Sequence, residues 1–101
     1  MGYSEQFALS SDTNFVGKVK IAFAKACTDV IGEADPGGNS AAYVKRHEFC
    51  TKALNNINFF VTNMVYAVVS DVNITDQSLD VDIQNRVNSL INDFAGVKIG
   101  D

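Results

Sequence analysis

The chain has 101 residues, of which 47% are apolar and 20% charged, with a formal net charge of −4. That length fits a single domain, and that share of apolar residues supplies a core, which excludes global disorder. The acidic balance argues against a general nucleic-acid binder and against attachment to anionic membranes, because both select basic surfaces.

The opening MGYSEQFALS has no basic region and no long apolar run, so it does not read as a signal peptide. Met1-Gly2 suggests myristoylation, but Gln6 stands where that motif needs Ser or Thr. Tyr3, Phe7, Ala8 and Leu9 give this segment one apolar side, as a short helix or arm over residues 1–11. Ser10, Ser11 and Asp12 then break the pattern and offer an N-cap. The arm is too apolar for an idle tail and too short for a full bundle helix. It either folds back over the end of its own bundle or docks Tyr3, Phe7 and Leu9 on a neighbouring subunit or partner.

Phe15, Val16, Val19, Ala22, Phe23, Ala26, Cys27, Val30 and Ile31 recur at helical spacing in one continuous stripe, which predicts a helix over 12–31. Gly17 weakens that helix unless it permits the close approach of another, and Gly32 stops it. EADPGGN, residues 33–39, is turn chemistry and holds the chain's one proline. Asn39 or Ser40 caps a helix over 41–54 with Ala42, Tyr43, Phe49, Cys50, Ala53 and Leu54 inward. Asn55-Asn56 breaks it, one of the two capping the next helix, and so tight a link favours antiparallel packing.

INFFVTNMVYAVV, residues 57–69, is apolar nearly all round, as a helix buried on most sides must be. It falls short of the roughly 20 residues that span a bilayer. It reads as the central helix of the bundle, over 57–70. Its β-branched and aromatic residues also suit two strands with a turn at Asn63, but no partner strands are visible. After the polar stretch VNITDQSLD, Asp76, Ser78 or Asp80 starts a last helix over 80–95, with Ile83, Val87, Leu90, Ile91 and Phe94 inward and Gly96 as its cap. The tail, 96–101, is expected to be mobile. The fold expected is all-α: one small bundle of four main helices with a short N-terminal helix or arm.

No catalytic set emerges. His47 is the lone histidine, without triad context, and a dyad with Cys27 or Cys50 arises only through folding. His47 and Cys50 are three residues apart, but zinc needs about four ligands. Asp71 to Asp76, DVNITD, resembles the start of a calcium loop, yet Asp76 stands where that loop needs glycine and Asp82 where it needs glutamate. Gly37-Gly38 lacks the Lys and Ser or Thr of a phosphate loop. Asn73-Ile74-Thr75 matches a glycosylation pattern that matters only in a secreted protein. The reading is a protein that is not an enzyme and uses no cofactor or metal. Lys45, Arg46 and His47 form a small basic cluster, either a solvated helix face or a contact for an anionic ligand or a partner's carboxylates. Cys27 and Cys50 lie in core rows and read as buried reduced thiols rather than a disulfide, which suits a reducing compartment.

Four segments together resemble small proteins of about this length from tailed bacteriophages and prophages. They are YSEQFALSSD, FVGKVKIAFAKA, the run containing Arg46, His47, Ala53, Leu54, Asn55 and Asn56, and DIQNRVNSLINDFAGV. The resemblance spans most of the chain and implies a phage origin; it carries over no functional residue. It implies a virion component, capsid-associated or at the head–tail junction as a connector, located in the virion and in the host cytoplasm before assembly. The other use such phage proteins suggest is a host-directed factor that binds a bacterial protein or sequesters a small ligand. Partners would be other phage structural proteins or further copies of itself, with no nucleic acid and no membrane. The chain has more large apolar residues than one small core needs, so Tyr3, Phe7, Leu9, Phe59 and Tyr66, with Lys45 and Arg46, are the interface candidates.

Overall fold

The computed structural model describes residues 8–34, 37 and 40–101. After a helical turn at 8–10 come four helices: α1 (Thr13–Ile31), α2 (Ala41–Asn55), α3 (Ile57–Val69) and α4 (Asp80–Ala95). Each boundary falls within a residue of the expected one, and the fold is all-α, with no strand among the described residues. The strand alternative for 57–69 is thereby removed.

Helix α1 begins where the Asp12 carboxylate accepts from the backbone N–H of Asn14 at 2.9 Å and of Phe15 at 3.1 Å. Its inward residues are Phe15, Val19, Ala22, Phe23, Ala26, Cys27 and Val30. Gly17, however, admits no close neighbour: a Cβ there meets nothing within 4 Å. The helix ends at Gly32, whose φ of −77° is ordinary right-handed backbone, so this glycine stops the helix without a left-handed turn. Ser40 caps α2, its hydroxyl accepting from the Tyr43 N–H.

The centre of the bundle is α1, not α3. It packs against each of the other helices and most extensively against α4. Its length of 19 residues and its small inward residues, Ala22, Ala26 and Cys27, let neighbours approach its backbone along several turns. Helix α3 buries only Val61, Met64, Val65, Val68 and Val69; Asn58, Phe59, Thr62, Asn63 and Tyr66 face outward.

One residue of α2 joins all four helices. The ring of Phe49 lies 6.1 Å from Phe23 on α1, 5.7 Å from Phe60 on α3 and 5.9 Å from Phe94 on α4. The contact with Phe60 is edge-on and the other two are stacked, both favourable geometries for aromatic pairs.

Three local expectations need correction. Asn56 alone separates α2 from α3, and its side chain makes no capping bond. One residue cannot reverse the chain as the usual loop of about 2–5 residues does. The two helices accordingly share the least contact of any pair, not the side-by-side contact of a hairpin. The linker before α4 is not purely polar: Ile74 is buried among the core residues. Around it, Asp71 accepts from Asn73 N–H, Ser78 from Thr75 N–H and Thr75 from Gln77 N–H, so local turns hold the segment. Helix α4 then starts at Asp80, one of the three starts expected, with Leu79 in the cap position and no side-chain cap, and with Asp80 and Asp82 in its first turn beside the positive end of the dipole.

The tail, expected to be mobile, is tied to α2. Gly96 adopts φ 76°, and the Val97 N–H reaches back to the Asn92 carbonyl, the closure of a glycine-ended helix. That turn sends the chain towards Lys45, whose Nζ donates to the Gly96 carbonyl at 3.3 Å and to Asp101 Oδ2 at 2.7 Å. The Lys98 N–H donates to the same carboxylate oxygen.

Candidate functional site

The outward face of α3 is the most distinctive surface of the described residues. Phe59 is 65% exposed and Tyr66 53%, seven positions apart on one helix. Asn58, Thr62 and Asn63 share that face, and α3 carries no charged residue at all. The cause is local: the helix is apolar nearly all round, but its neighbours cover only one side. Two aromatic rings therefore stand in water, the Phe59 ring resting edge-on against Phe60 with centroids 5.4 Å apart. An uncharged, aromatic patch rimmed by amides and a hydroxyl has the composition of a protein–protein contact.

The other interface candidates fare differently. Tyr3 and Phe7 lie outside the described residues. Leu9 is buried in its own core and presents nothing to a partner, so that expectation is corrected. Its short apolar side chain sits one turn before the α1 cap and is covered by its own bundle.

Lys45 and Arg46 are not free charges. Each cation is already paired within the chain, Lys45 with Asp101 and Arg46 with Glu33. The hydrogen bond from Lys45, with help from the Lys98 N–H, holds the Asp101 carboxyl below the usual carboxylate range. The third member of the basic cluster, His47, lays its ring against Tyr43, centroids 4.1 Å apart, and its buried Nε2 has no hydrogen-bond partner among the described residues. What reads in sequence as a free basic patch is two internal ion pairs and a stacked ring.

No protein-family model matches the chain, and no curated protein or solved structure matches it either.

The remaining chemistry is accounted for by local structure. A groove of about 420 Å³ between the start of α1 and the linker is lined by Asp12, Asn14, Lys18, Thr75, Asp76 and Ser78. Asp12, Thr75 and Ser78 already serve there as backbone caps. In the calcium-like run, Asp71 Oδ1 caps its own turn, and Oδ2 lies 3.7 Å from Arg86 Nε as a loose ion pair. Among the described residues no three His, Cys, Asp or Glu side chains converge to hold a metal ion. No described helix is long and apolar enough to cross a membrane.

Sequence reasoning missed the proximity of the two thiols. Cys27 and Cys50 are both wholly buried free thiols, close enough for each to influence the ionisation of the other. Periodicity places each on an inward row of its own helix. Which rows meet is a matter of how α1 and α2 pack.

Proposed function

We propose that this chain is a non-enzymatic structural component of a tailed-phage virion, capsid-associated or at the head–tail junction, working by protein–protein assembly. The observation that carries the assembly reading is the uncharged Phe59–Tyr66 face of α3. The phage assignment rests on the resemblance of the four sequence segments. Fully burying one large apolar side chain contributes about 1.5–3 kcal/mol. Two such anchors make a weak pairwise contact, which suits a subunit repeated around a ring or shell, where many contacts act together.

Two measurements test the proposal. Purified phage particles are analysed for the chain by mass spectrometry, and the molar mass of the isolated protein is measured by light scattering with and without Phe59→Ser and Tyr66→Ser. The expected result is the chain in particles, and loss of incorporation or of self-association in the double variant with its helical content intact. Absence from particles together with a stable complex with a host protein would replace this reading with that of a host-directed factor.

A further inference from the structure

The exposed side of α3 has a spacing of its own. Asn56 at its N-terminal cap, Phe59, Asn63, Tyr66 and Ser70 at its C-terminal cap follow one another at intervals of three, four, three and four, and all five are exposed. That alternation is the seam of a two-helix coiled coil, which brings such positions onto one narrow stripe. The stripe lies opposite the buried side, Val61, Met64, Val65 and Val68, so α3 has one face for its own bundle and a seam that the bundle leaves open. Phe59 and Tyr66 are the large side chains of the open seam, and Asn63 lies between them. An asparagine at such a position fixes register and oligomeric state, because an amide both donates and accepts and so pairs with a copy of itself.

We propose that a second copy of this chain covers the open seam, the two α3 helices packing across a twofold axis close to Asn63. The inference rests on the assembly reading of that face and names its occupant. Two observations select a second copy over a different protein. The flanks of the seam on α3, Asn58, Thr62 and Ala67, carry no charge, whereas a seam made for a different chain uses flanking charges to choose it. Each chain has a formal net charge of −4, so two copies repel over most of their surface and approach at least cost along the helix that has no charged residue. A twofold makes the contact isologous: Phe59 and Tyr66 of each copy meet the same face of the other, and Asn63 near the axis donates to and accepts from its counterpart. Such a contact closes on itself, which leaves the dimer as the unit that repeats in a larger assembly. The seam has far fewer than the roughly 20 residues a side of a standard interface, so the dimer is weak and exchanges with monomer.

The test uses the full chain with no added ligand. Sedimentation equilibrium from about 10 μM to about 1 mM, which brackets weak pairwise affinities, is expected to show an average mass rising from that of one chain towards that of two and no further. Tyr66→Asp sets like charges against each other in the seam and holds the mass at one chain over the same range, with helical dichroism unchanged. Asn63→Cys, oxidised in air, is expected to form a disulfide-linked dimer about tenfold faster than Lys20→Cys, at an exposed position of α1, because a residue beside a twofold axis meets its own copy. The native thiols are wholly buried and do not compete. A mass of one chain throughout overturns the proposal, and so does growth of the isolated protein beyond two chains. Equal rates for the two cysteine variants overturn it as well, a comparison that stands even if Tyr66→Asp does not fold. A monomer that is nonetheless found in phage particles removes the dimer and leaves the virion reading, whereas a dimer absent from particles keeps the seam and removes the virion reading.

Discussion

The ring of Phe49 on α2 stacks on that of Phe94 on α4, centroids 5.9 Å apart and planes 24° from parallel. Phe23 and Phe60 complete the set, so one partly buried side chain touches every other helix. Phe49→Ala is expected to cost about 3–5 kcal/mol, a large share of a small domain's stability. Phe49→Leu keeps most of the apolar bulk but loses three ring pairs, each contributing about 0.5–1.5 kcal/mol, and falls between. Urea unfolding followed by helical dichroism checks the order wild type, Leu, Ala.

Asp101 gives the tail a defined pH response. Its folded value is lowered, first by the Lys45 hydrogen bond and then by the Lys98 N–H. A lowered value means that the stabilisation is complete above the unfolded carboxyl's value, about 3.9, and is lost as pH falls through the folded one. Asp101→Asn is therefore expected to melt slightly below wild type at pH 7, with the difference vanishing in stronger acid. A gap between the two melting temperatures that widens on acidification contradicts the pairing.

Gly17→Ala is expected to stabilise the protein by about 0.5–1 kcal/mol, since alanine is the better helix former and restricts the unfolded chain. The new methyl meets nothing within 4 Å. A melting temperature below wild type would show that another surface closes over this position.

Ile74 anchors the linker between α3 and α4 from within the core, whereas Val72, two positions earlier, is 60% exposed. Ile74→Ala is expected to cost about 2–5 kcal/mol, and Val72→Ala to stay within about 0.5 kcal/mol of wild type. Equal effects at the two sites, in chemical denaturation, would contradict the anchoring.

His47 contributes a ring, not a chemical group. His47→Phe keeps the stack on Tyr43 and removes a buried nitrogen that has no partner among the described residues. Replacing an unsatisfied polar atom with an apolar one is neutral to stabilising, here by up to about 1 kcal/mol. Thermal melts of the two proteins decide it.

The linear pattern determined what each segment is. The stripes from Phe15 to Val30 and from Ile83 to Phe94 record which side of a helix is apolar, and the residues around Asp12, Gly32 and Gly96 record where helices begin and end. Periodicity is a local property, so these elements were legible to within a residue. The choice of neighbours was not. Helix α3 carries only Asn58, Thr62 and Asn63 to mark its outer side, and the packing of α1, α2 and α4 decided that the aromatic rings of Phe59 and Tyr66 face water with them while Val61 and Val65 do not. The same holds for Cys27 with Cys50, Lys45 with Asp101 and Arg46 with Glu33. Each joins segments 13 or more positions apart, and a pattern that repeats every three or four residues carries no information about such a pairing. Chain geometry around one-residue links such as Asn56 supplies it, because the reach of the backbone limits which faces can meet.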